Sequence, residues 1–350
     1  MVWPTTLPYA MTGIRLAASV ALVLTITGEL LIGGTKGIGE QIAVAQSSIA
    51  VPSMYALIVV SGLIGLVANL ATRRAERMVL AWHPSVRRAT TMTRVLGRAG
   101  LLLGLPVVLL VTWWFASAGS KSFYQPPLET IVKVFPDTWT GARFKSDVFP
   151  SLIRLFIGYG LAVALGIALG VLIGANRRLR ALVEPLLEFL RAIPPPVLVP
   201  ILILIAGIGN PTKVLVIVIG GIWPVLLNTV EGVRGVDEVL ADTCRSYRIG
   251  GWLRLRTFIL RAASPQIVVG ARQALSISII MMVIGELLGA TNGLGYTVVE
   301  FQRGFQIPEM WSGVFVLGLL GVLLSLAFTL VERRVLSWYH GARAAERSGH

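Results

Sequence analysis

Residues 231–265 read EGVRGVDEVLADTCRSYRIGGWLRLRTFILRAASP, a polar segment between two long apolar runs. Its first part, residues 233–240, has apolar residues at helical spacing, which predicts a short amphipathic helix that ends at Gly250. Residues 252–260 predict a second amphipathic helix, and Pro265 is expected to open the next apolar helix in its first turn. The arginines of this helix pair suit either a membrane surface or contact with a soluble partner.

The composition excludes a soluble domain. Of the 350 residues, 55% are hydrophobic and only 14% are charged, and several apolar runs reach about 18 residues or more. The formal net charge of +14 comes from basic residues between the apolar runs, where they indicate orientation rather than nucleic-acid binding. One cysteine and three histidines provide neither a disulfide framework nor a clustered metal site. We therefore predict an all-α polytopic membrane protein without a metal or a nucleic-acid partner.

The hydropathy pattern predicts about eight transmembrane helices. They lie near residues 13–33, 54–73, 99–118, 150–174, 182–208, 212–230, 265–288 and 309–331. Arginines concentrate in alternate connections, at residues 73–98, 177–180 and 231–261 and after residue 331. Because cytoplasmic loops collect Lys and Arg, both termini and the 231–265 segment are predicted to be cytoplasmic.

Three consecutive prolines interrupt the apolar run at residues 182–208. Pro194, Pro195 and Pro196 lack backbone donors and are expected to bend or break the helix at membrane depth. Irregular backbone survives in a bilayer only against protein or a water-filled cavity. The sequence therefore predicts a helix break that faces protein or the interior of a pathway.

Small residues form a stripe along the helix predicted at 150–174. Gly158, Gly166, Gly170 and Gly174 lie on one face, the last three at four-residue steps. Such spacing lets two membrane helices approach closely. Both packing within the chain and a subunit interface are consistent with this pattern.

Glu286 is the acid embedded most deeply in apolar sequence. A membrane-embedded carboxylate is costly and is a candidate functional residue by default. Arg154 lies at a matching depth in another predicted helix and could pair with it. Two interpretations remain open, a structural ion pair and a role in lining the outer end of a pathway.

No pattern typical of an enzyme is present. The sequence has no Walker-type G-x-x-x-x-G-K-[ST], so it is not expected to hydrolyse ATP by that route. We predict that the chain is not an enzyme and that it binds no cofactor of its own.

The 231–265 segment resembles the EAA loop of the membrane-spanning subunits of bacterial ABC importers, a cytoplasmic loop whose helix inserts into the ATPase. Asp242, Thr243 and Cys244 stand where that family has Glu-Ala-Ala, and they keep an acid followed by small side chains. Arg248 stands where the family has Gly, and Arg261 where it has Pro. The resemblance implies that the ATPase contact involves five residues: Asp242, Thr243, Cys244, Arg245 and Arg248.

Further runs extend this resemblance to about residues 99–335. Residues 191–209 are similar to the family's Arg-x-Ile-Pro segment ending in Gly-Ile-Gly, and GELLGATNGLG at 285–295 and PPLETIVKVF at 126–135 also match. The resemblance is closest to the subgroup that serves sulfonates, nitrate, taurine, bicarbonate and pyrimidine or riboflavin-type compounds. It implies that the substrate is a small organic anion or heterocycle.

This resemblance implies the type I ABC importer permease fold, located in the bacterial inner membrane. The implied partners are ATPase subunits that bind the ATP, an extracytoplasmic substrate-binding protein and a second permease domain. An ion-coupled secondary transporter is the alternative, although its repeats would typically be complete halves. A membrane enzyme would need clusters of His, Cys or acidic residues that the sequence lacks.

The first 82 residues repeat residues 265–338, with LPYAMTGIRLAAS matching SPQIVVGARQALS at the start. The identical pairs include Pro8 with Pro265, Gly13 with Gly270, Gly28 with Gly285, Glu29 with Glu286, Gly37 with Gly293, Gly39 with Gly295, and Pro52 with Pro308. Because the polar connection is repeated as well as the apolar helices, chance similarity is a poor explanation. Residues 1–98 are predicted to be a partial permease repeat of two transmembrane helices with a basic linker, and residues 99–350 a complete permease domain with its coupling loop at 231–264.

Three arrangements would complete the first copy: an upstream extension in tandem, a separate chain, or a homodimer in which the first two helices are a relic. We expect the tandem, because the match begins midway through the repeated pattern.

Overall fold

The computed structural model describes residues 2–33, 36–79, 107–120, 122–236, 244, 246–247, 249–288 and 290–339. All regular elements in these ranges are helices, which confirms the predicted all-α class. The first helices are α1 (Val2–Ile32), α2 (Ile38–Ser47), α3 (Val51–Val79), α4 (Val107–Ser117), α5 (Leu128–Trp139) and α6 (Phe144–Ala175). They are followed by α7 (Arg177–Ala192), α8 (Val199–Ala206), α9 (Asn210–Arg234), α10 (Gly251–Leu287), α11 (Leu294–Arg303) and α12 (Ile307–Val335).

Within the described residues, five helices are long and apolar enough to cross a membrane, so the chain is polytopic as predicted. These spans are Val51–Thr72, Phe144–Ala175, Asn210–Arg234, Gly251–Leu287 and Ile307–Val335. The number eight is not confirmed. Near 13–33 and 99–118 the apolar stretches found within the described residues are Val20–Leu30 of α1 and Val107–Ser117.

The predicted span at 182–208 is two helices rather than one. Helix α7 ends at Ala192, and the run from Pro195 to Ala206 leaves it at 87°. Pro194 is extended, while Pro195 and Pro196 begin a short 3-10 turn that leads into α8. Since prolines supply no backbone N–H, the α-helical hydrogen-bond ladder cannot continue through this stretch. The sequence predicted a bend or break at these prolines, and the two helices meet there.

The glycine stripe packs within the chain, against α9. A Cβ added at Gly158, Gly166, Gly170 or Gly174 would lie 2.6–2.9 Å from a side chain of α9. The opposing residues are Ile217, Val225, Thr229 and Val233. Because real Cβ atoms do not approach this closely, glycine is required for α6 and α9 to lie so near each other. Of the two interpretations left open by the sequence, the structure has packing within the chain.

Helix α9 is also packed against α10. A Cβ at Gly270 would lie 2.7 Å from the carbonyl oxygen of Pro224, and the Gly232 position is similarly close to Ala263. Half of the residues in the apolar stretch of α9 are buried, compared with 6% in α12. Helix α12 exposes many of its large apolar side chains. Helix α9 therefore forms the centre of the bundle, with α6 and α10 on either side.

Helix α10 runs without interruption from the 231–265 segment into the apolar core. The prediction that Pro265 opens this helix is wrong, because the helix has already begun at Gly251 and includes a π-helical turn at Leu255–Ile259. The missing N–H of Pro265 would have bonded to the carbonyl of Arg261. Instead the hydroxyl of Ser264 donates to that carbonyl at 2.8 Å. The serine satisfies the freed acceptor, so the proline is tolerated inside the helix.

The N-terminal unit, α1 to α3, packs on the proline break. Ile26, Ile42, Met54 and Ile58 form one buried cluster with Ile193 and Val197. Helix α3 approaches the break through two glycines: a Cβ at Gly62 would lie 2.6 Å from the side chain of Ile193, and one at Gly65 would overlap the carbonyl of Ala192. The irregular backbone is thus covered by protein, as a break at membrane depth requires.

Candidate functional site

Arg154 of α6 and Glu286 of α10 meet at the end of α10 that lies far from the 231–265 segment. The Nη1 atom of Arg154 donates to Oε1 of Glu286 at 2.8 Å, and the two side chains are 4% and 0% exposed. The sequence placed these residues at matching depth, and the structure brings them into direct contact. With no exposed surface, the carboxylate does not line an open pathway in this conformation.

Two asparagines accept further hydrogen bonds from Arg154. Its Nε donates to Oδ1 of Asn210 at 2.9 Å, at the start of α9. Its Nη1 and Nη2 also donate to the backbone carbonyl and Oδ1 of Asn292, at 3.1 and 2.5 Å. A single guanidinium therefore ties α6 to α9, to α10 and to the connection between α10 and α11. Fixed donors of this kind are what makes arginine suited to buried ion pairs.

Glu286 is also held by hydroxyl and backbone donors. Ser151 donates to its Oε1 at 2.6 Å, and the N–H of Gly295 donates to its Oε2 at 2.9 Å. Ser151 in turn accepts from the N–H of Leu294 at 2.9 Å. A Cβ at Gly293 would overlap the carboxylate, and this residue has a φ of +123°, so glycine is required there on both counts. The first turn of α11 is thus built around the Glu286 carboxylate.

The two charges of this pair compensate for each other's burial. An isolated ion in an apolar interior costs several kcal/mol, whereas a paired and hydrogen-bonded ion largely recovers this cost. A further basic residue, Lys213 of α9, is 5% exposed, and its side-chain amine has no hydrogen-bond or ion-pair partner among the described residues. With Asp147 included, the cluster contains two basic side chains, Arg154 and Lys213, and two acidic ones.

Asp147 extends the cluster toward the end of the bundle. Its carboxylate accepts from the N–H of Gly293 at 3.2 Å and lies 3.8 Å from Arg143. Arg143 also pairs with Glu300 of α11 at 3.0 Å, and its guanidinium lies 4.7 Å from the centre of the Phe301 ring. The connection between α10 and α11 and the start of α11 are therefore fastened to α6 by charged contacts.

The turn from α10 into α11, in which Glu286 accepts from the N–H of Gly295, is here called a corner. The N-terminal unit contains a second corner of the same construction, between α1 and α2. The N–H of Gly39 donates to Oε2 of Glu29 at 3.0 Å, as Gly295 does to Glu286. A Cβ at Gly37 would overlap the Glu29 carboxylate, as one at Gly293 would overlap Glu286. Glu29 has no arginine partner among the described residues. The backbone of the corner is thus repeated, whereas its charge pair is not.

The residues expected to contact an ATPase are only partly described. Asp242, Thr243, Arg245 and Arg248 lie outside the described residues. Cys244 is buried at 8% exposure, and its carbonyl accepts from the N–H of Ile249 at 2.8 Å. The structure therefore describes Cys244 and the hydrogen bond that follows it, but not Asp242 or the two arginines of the expected contact.

Large aromatic and aliphatic side chains are exposed beside Cys244. Tyr247, Trp252 and Leu253 are 77%, 71% and 58% exposed. All three lie at the polar end of α10, next to Arg254 and Arg256. Exposed apolar residues in a polar segment are typical of a surface that another protein covers.

Several residues of the site were missed by sequence reasoning. Asn210 and Asn292 lie in Gly- and Pro-containing connections, where amide side chains are common and carry little positional information. Lys213 is hidden inside an apolar run, and only its isolation there could have drawn attention to it. The repeat already pairs Glu29 with Glu286, but the sequence did not predict that Glu29 would organise a turn of its own.

Metal coordination has no support in the described part of the chain. No group of three His, Cys, Asp or Glu side chains there is arranged to hold an ion.

Comparison with known proteins identifies related transport permeases. The chain is 29% identical over 256 residues to the putative aliphatic sulfonates transport permease protein SsuC of Bacillus subtilis, covering 73% of this chain and 92% of that protein. It is 28% identical over 267 residues to the taurine transport system permease protein TauC of Escherichia coli, covering 74% and 94%. It is 29% identical over 250 residues to the bicarbonate transport system permease protein CmpB of Synechococcus elongatus, covering 68% and 90%.

Among solved structures, a chain of the MetNI methionine ABC transporter in an inward-facing conformation matches with a TM-score of 0.47 and 21% identity, covering 54% of this chain and 94% of that one. A family model matches residues 162–337, which include α9, the proline break, α10 and the Glu286 corner. The match thus spans the central helices on which the site is built. The chain belongs to the family of binding-protein-dependent transport system inner membrane components.

Proposed function

We propose that this chain forms the translocation pathway of an ATP-driven importer and is coupled to a separate ATPase through residues 231–264. The observation that carries the proposal is the continuity of α10. This helix of 37 residues begins in the polar segment beside Cys244 and ends directly after Glu286. At a rise of about 1.5 Å per residue, one helix of about 55 Å connects the two ends of the bundle.

Such a helix can transmit movement between the two ends. A displacement of the polar end by an ATPase moves α10 as a unit, because α10 packs closely on α9 through Gly270 and Gly220. At the far end the Arg154–Glu286 contact ties α10 to α6, so the movement reaches both helices. Rigid elements that join two sites and alternate between two arrangements are the usual basis of such coupling. We therefore assign the ion pair a structural role that links α6 to α10.

A cavity beside the proline break is the candidate for part of the pathway. It has a volume of about 260 Å³ and lies between α1, α3 and the break. Gly65, Asn69 and Thr72 line one wall, and Arg191 and Pro194 line the other. Polar side chains and irregular backbone at this depth suit a water-filled route. The interface between the N-terminal unit and the rest of the chain is therefore where we place the substrate.

The substrate and the remaining partners follow from the relatives. Their names specify aliphatic sulfonates, taurine and bicarbonate, so we propose a small organic anion or a heterocycle of similar size. An extracytoplasmic binding protein delivers it, and ATP is bound by the ATPase alone. The arginines of the 231–265 segment and of the last turn of α12 support the orientation with both termini in the cytoplasm.

The ATPase contact can be tested with a matched pair of exposed tyrosines. Tyr247→Ala is expected to lower the amount of ATPase that co-purifies with the chain in mild detergent by about tenfold, since exposed aromatic residues contribute strongly to interfaces. Tyr124, which is 69% exposed, lies in the connection that precedes α5, on the side predicted to face outward. Tyr124→Ala should leave ATPase recovery unchanged. Undiminished recovery with Tyr247→Ala combined with Trp252→Ala would contradict the proposed contact.

A further inference from the structure

Helix α1 has a face that is uncovered although its counterpart in α10 is buried. The repeat aligns five positions of the two helices. They are Gly13 with Gly270, Ala17 with Ala274, Ala21 with Ser278, Leu24 with Met281, and Gly28 with Gly285. All five in α10 are buried.

The buried face of α10 lies against α9. A Cβ at Gly270 would lie 2.7 Å from the carbonyl of Pro224, and one at Gly285 would lie 3.4 Å from Val216. Met281, on the same face, is 2% exposed. These glycines let α9 approach closely, so α9 determines which residues this face contains.

The matching face of α1 has no such neighbour among the described residues. A Cβ at Gly13 or Gly28 would have nothing within 4 Å, and Leu24 is 64% exposed. Ala17 and Ala21 are also exposed. The two glycines are nevertheless identical to those that admit α9 in the other copy. Contact with lipid does not require glycine at either position.

Glu29, at the end of this face, is an independent observation that points to the same missing neighbour. Its Oε2 accepts from Gly39, but its Oε1 has no donor of the kind that Arg154 and Ser151 provide to Glu286. Glu29 is partly buried, and a carboxylate embedded in apolar sequence favours a cationic partner. In the complete copy this partner comes from α6.

A reciprocal pair of faces exists on α3 and α12. Gly62 and Gly65 of α3 pack on the proline break, at Ile193 and Ala192. The repeat aligns them with Gly318 and Gly321 of α12, and a Cβ at either of these positions would meet nothing within 4 Å. Each copy of the repeat therefore has one glycine face in contact and one uncovered.

One arrangement accounts for both uncovered faces. Residues 107–236, here called the front half, touch α10 through α9 and touch α3 through the proline break. A second front half, related to the first as α1–α3 are to α10–α12, would place its α9 counterpart on α1 and its proline break on α12. It would also bring an arginine to Glu29.

We infer that α1 and α12 bind a second front half, a membrane polypeptide with counterparts of α6 to α9 and an arginine at the position of Arg154. This rests on the proposed function, since it completes a two-domain pathway. A second copy of this chain is not the occupant, because its own α9 is already covered by its own α10. The pathway would then lie between two front halves, of which the first contacts α10 and α3 and the second contacts α1 and α12.

Glycine substitutions separate this contact from the stability of the chain itself. Gly13→Leu and Gly321→Leu are expected to leave the unfolding temperature of the purified full chain unchanged, because nothing lies within 4 Å of either position. In the native host they should lower substrate uptake and recovery of the partner by about tenfold, as overpacking of a close contact does. Gly270→Leu and Gly65→Leu should destabilise the purified chain. Gly160→Leu, with nothing within 4 Å on α6, is the neutral control.

The occupant can be identified by photo-cross-linking from position 24 in native membranes. A benzoylphenylalanine at Leu24 should capture a peptide of a permease front half that has an arginine at the aligned position, whether or not that peptide is joined to this chain. The same probe at Leu323, which is 56% exposed on α12 away from the glycines, should capture lipid alone. Lipid alone at position 24, or a peptide from residues 107–236 of a second copy, would overturn the inference.

A charge exchange tests the ion pair, and a second readout keeps the two proposals distinct. Glu29→Arg should abolish uptake, and the opposite change in the partner, from arginine to glutamate, should restore it. Failure of the exchange to restore uptake, with the partner still recovered, would remove the pair from the inference. ATPase recovery is measured in the same preparations. If the ATPase is retained while no front half is found, the inference fails and the proposed function stands.

Discussion

The corner between α10 and α11 and the corner between α1 and α2 share one backbone and differ in their surroundings. Both hold a glutamate carboxylate against the N–H of a glycine, at 2.9 and 3.0 Å. Only Glu286 has an arginine among the described residues, supplied by α6. The difference shows that the carboxylate shapes the corner by itself, whereas the charge pair is a separate contact contributed by a neighbouring helix.

The likeness of the two units continues beyond the corners. Ile49 and Phe305 both have a φ of 56°, shortly after the ends of α2 and α11. In each case the next N–H reaches back five residues, from Ala50 to Ala45 and from Gln306 to Phe301, at 2.8 Å. The same backbone hydrogen bond is thus present at the matching position of both units. This supports the proposal that residues 1–98 are a partial copy of the permease domain.

The largest effect is expected from breaking the charge pair that only one corner has. Glu286→Gln and Arg154→Gln should each lower the free energy of unfolding by about 3–5 kcal/mol, because each leaves a buried charge without its partner. Glu29→Gln should cost only about 1 kcal/mol, since it alters one hydrogen bond to an acceptor that is only partly buried. Unfolding of the purified chain by denaturant in detergent measures all three.

A double-mutant cycle then isolates the pair itself. The combined Arg154→Gln, Glu286→Gln variant should lose less than the sum of the single losses, by at least about 1 kcal/mol. Additive losses would show that the two residues act independently in spite of their 2.8 Å contact. Equal losses for Glu286→Gln and Glu29→Gln would remove the difference between the corners.

A smaller effect should be the same in both corners. Gly39→Ala and Gly295→Ala introduce a Cβ against the carbonyl of Ile26 or Val283, where there is no room for it. Each should cost about 2 kcal/mol, as overpacking typically does. Gly141→Ala, with nothing within 4 Å, is the matched control. A loss in one corner only would show that the two backbones are less alike than their hydrogen bonds indicate.

What could be predicted from the sequence depends on whether the responsible interaction is local. The all-α class, the place of the proline break and the repeat follow from periodicity, missing donors and identity along the chain. The meeting of Arg154 with Glu286 was expected from their depth alone. Asn210 and Asn292 could not be expected, because they come from connections whose packing on α6 is not encoded near them.

The wrong expectation for Pro265 has a similar origin. Proline in an otherwise apolar run favours the first turn of a helix, and sequence reasoning used that preference. The structure satisfies the freed carbonyl of Arg261 with the hydroxyl of Ser264, which allows α10 to continue through the proline. The serine was visible in the sequence, but its role depends on the helix already existing on both sides.

This serine provides the next comparison between the units. In α1 the matching proline, Pro8, follows Leu7, which has no hydroxyl. Ser264→Leu gives α10 the N-terminal pairing and should cost about 1 kcal/mol, the usual contribution of one hydrogen bond. Ser264→Thr, which keeps the hydroxyl, should cost less. The unfolding free energy in detergent distinguishes them, and equal losses for both variants would mean that the hydroxyl is not what satisfies Arg261.

The smallest effect concerns the turns at Ile49 and Phe305, where both units hold a side chain in the left-handed region. A β-branched residue at positive φ is strained by about 1–2 kcal/mol, and glycine relieves this strain at some cost in chain entropy. Ile49 is 76% exposed, so little packing is lost, and Ile49→Gly should stabilise the purified chain by about 0.5–1 kcal/mol.

Phe305→Gly should gain less, because the Phe305 ring lies 6.2 Å from that of Phe123 and this contact would be lost. Aromatic pairs contribute about 0.5–1.5 kcal/mol, which is close to the strain that is relieved, so a change near zero is expected. Ile49→Ala keeps the positive φ and serves as the control, with no gain expected. The midpoint of thermal unfolding measures the set. A loss of stability with Ile49→Gly, or an equal gain with Ile49→Ala, would show that backbone strain does not distinguish these turns.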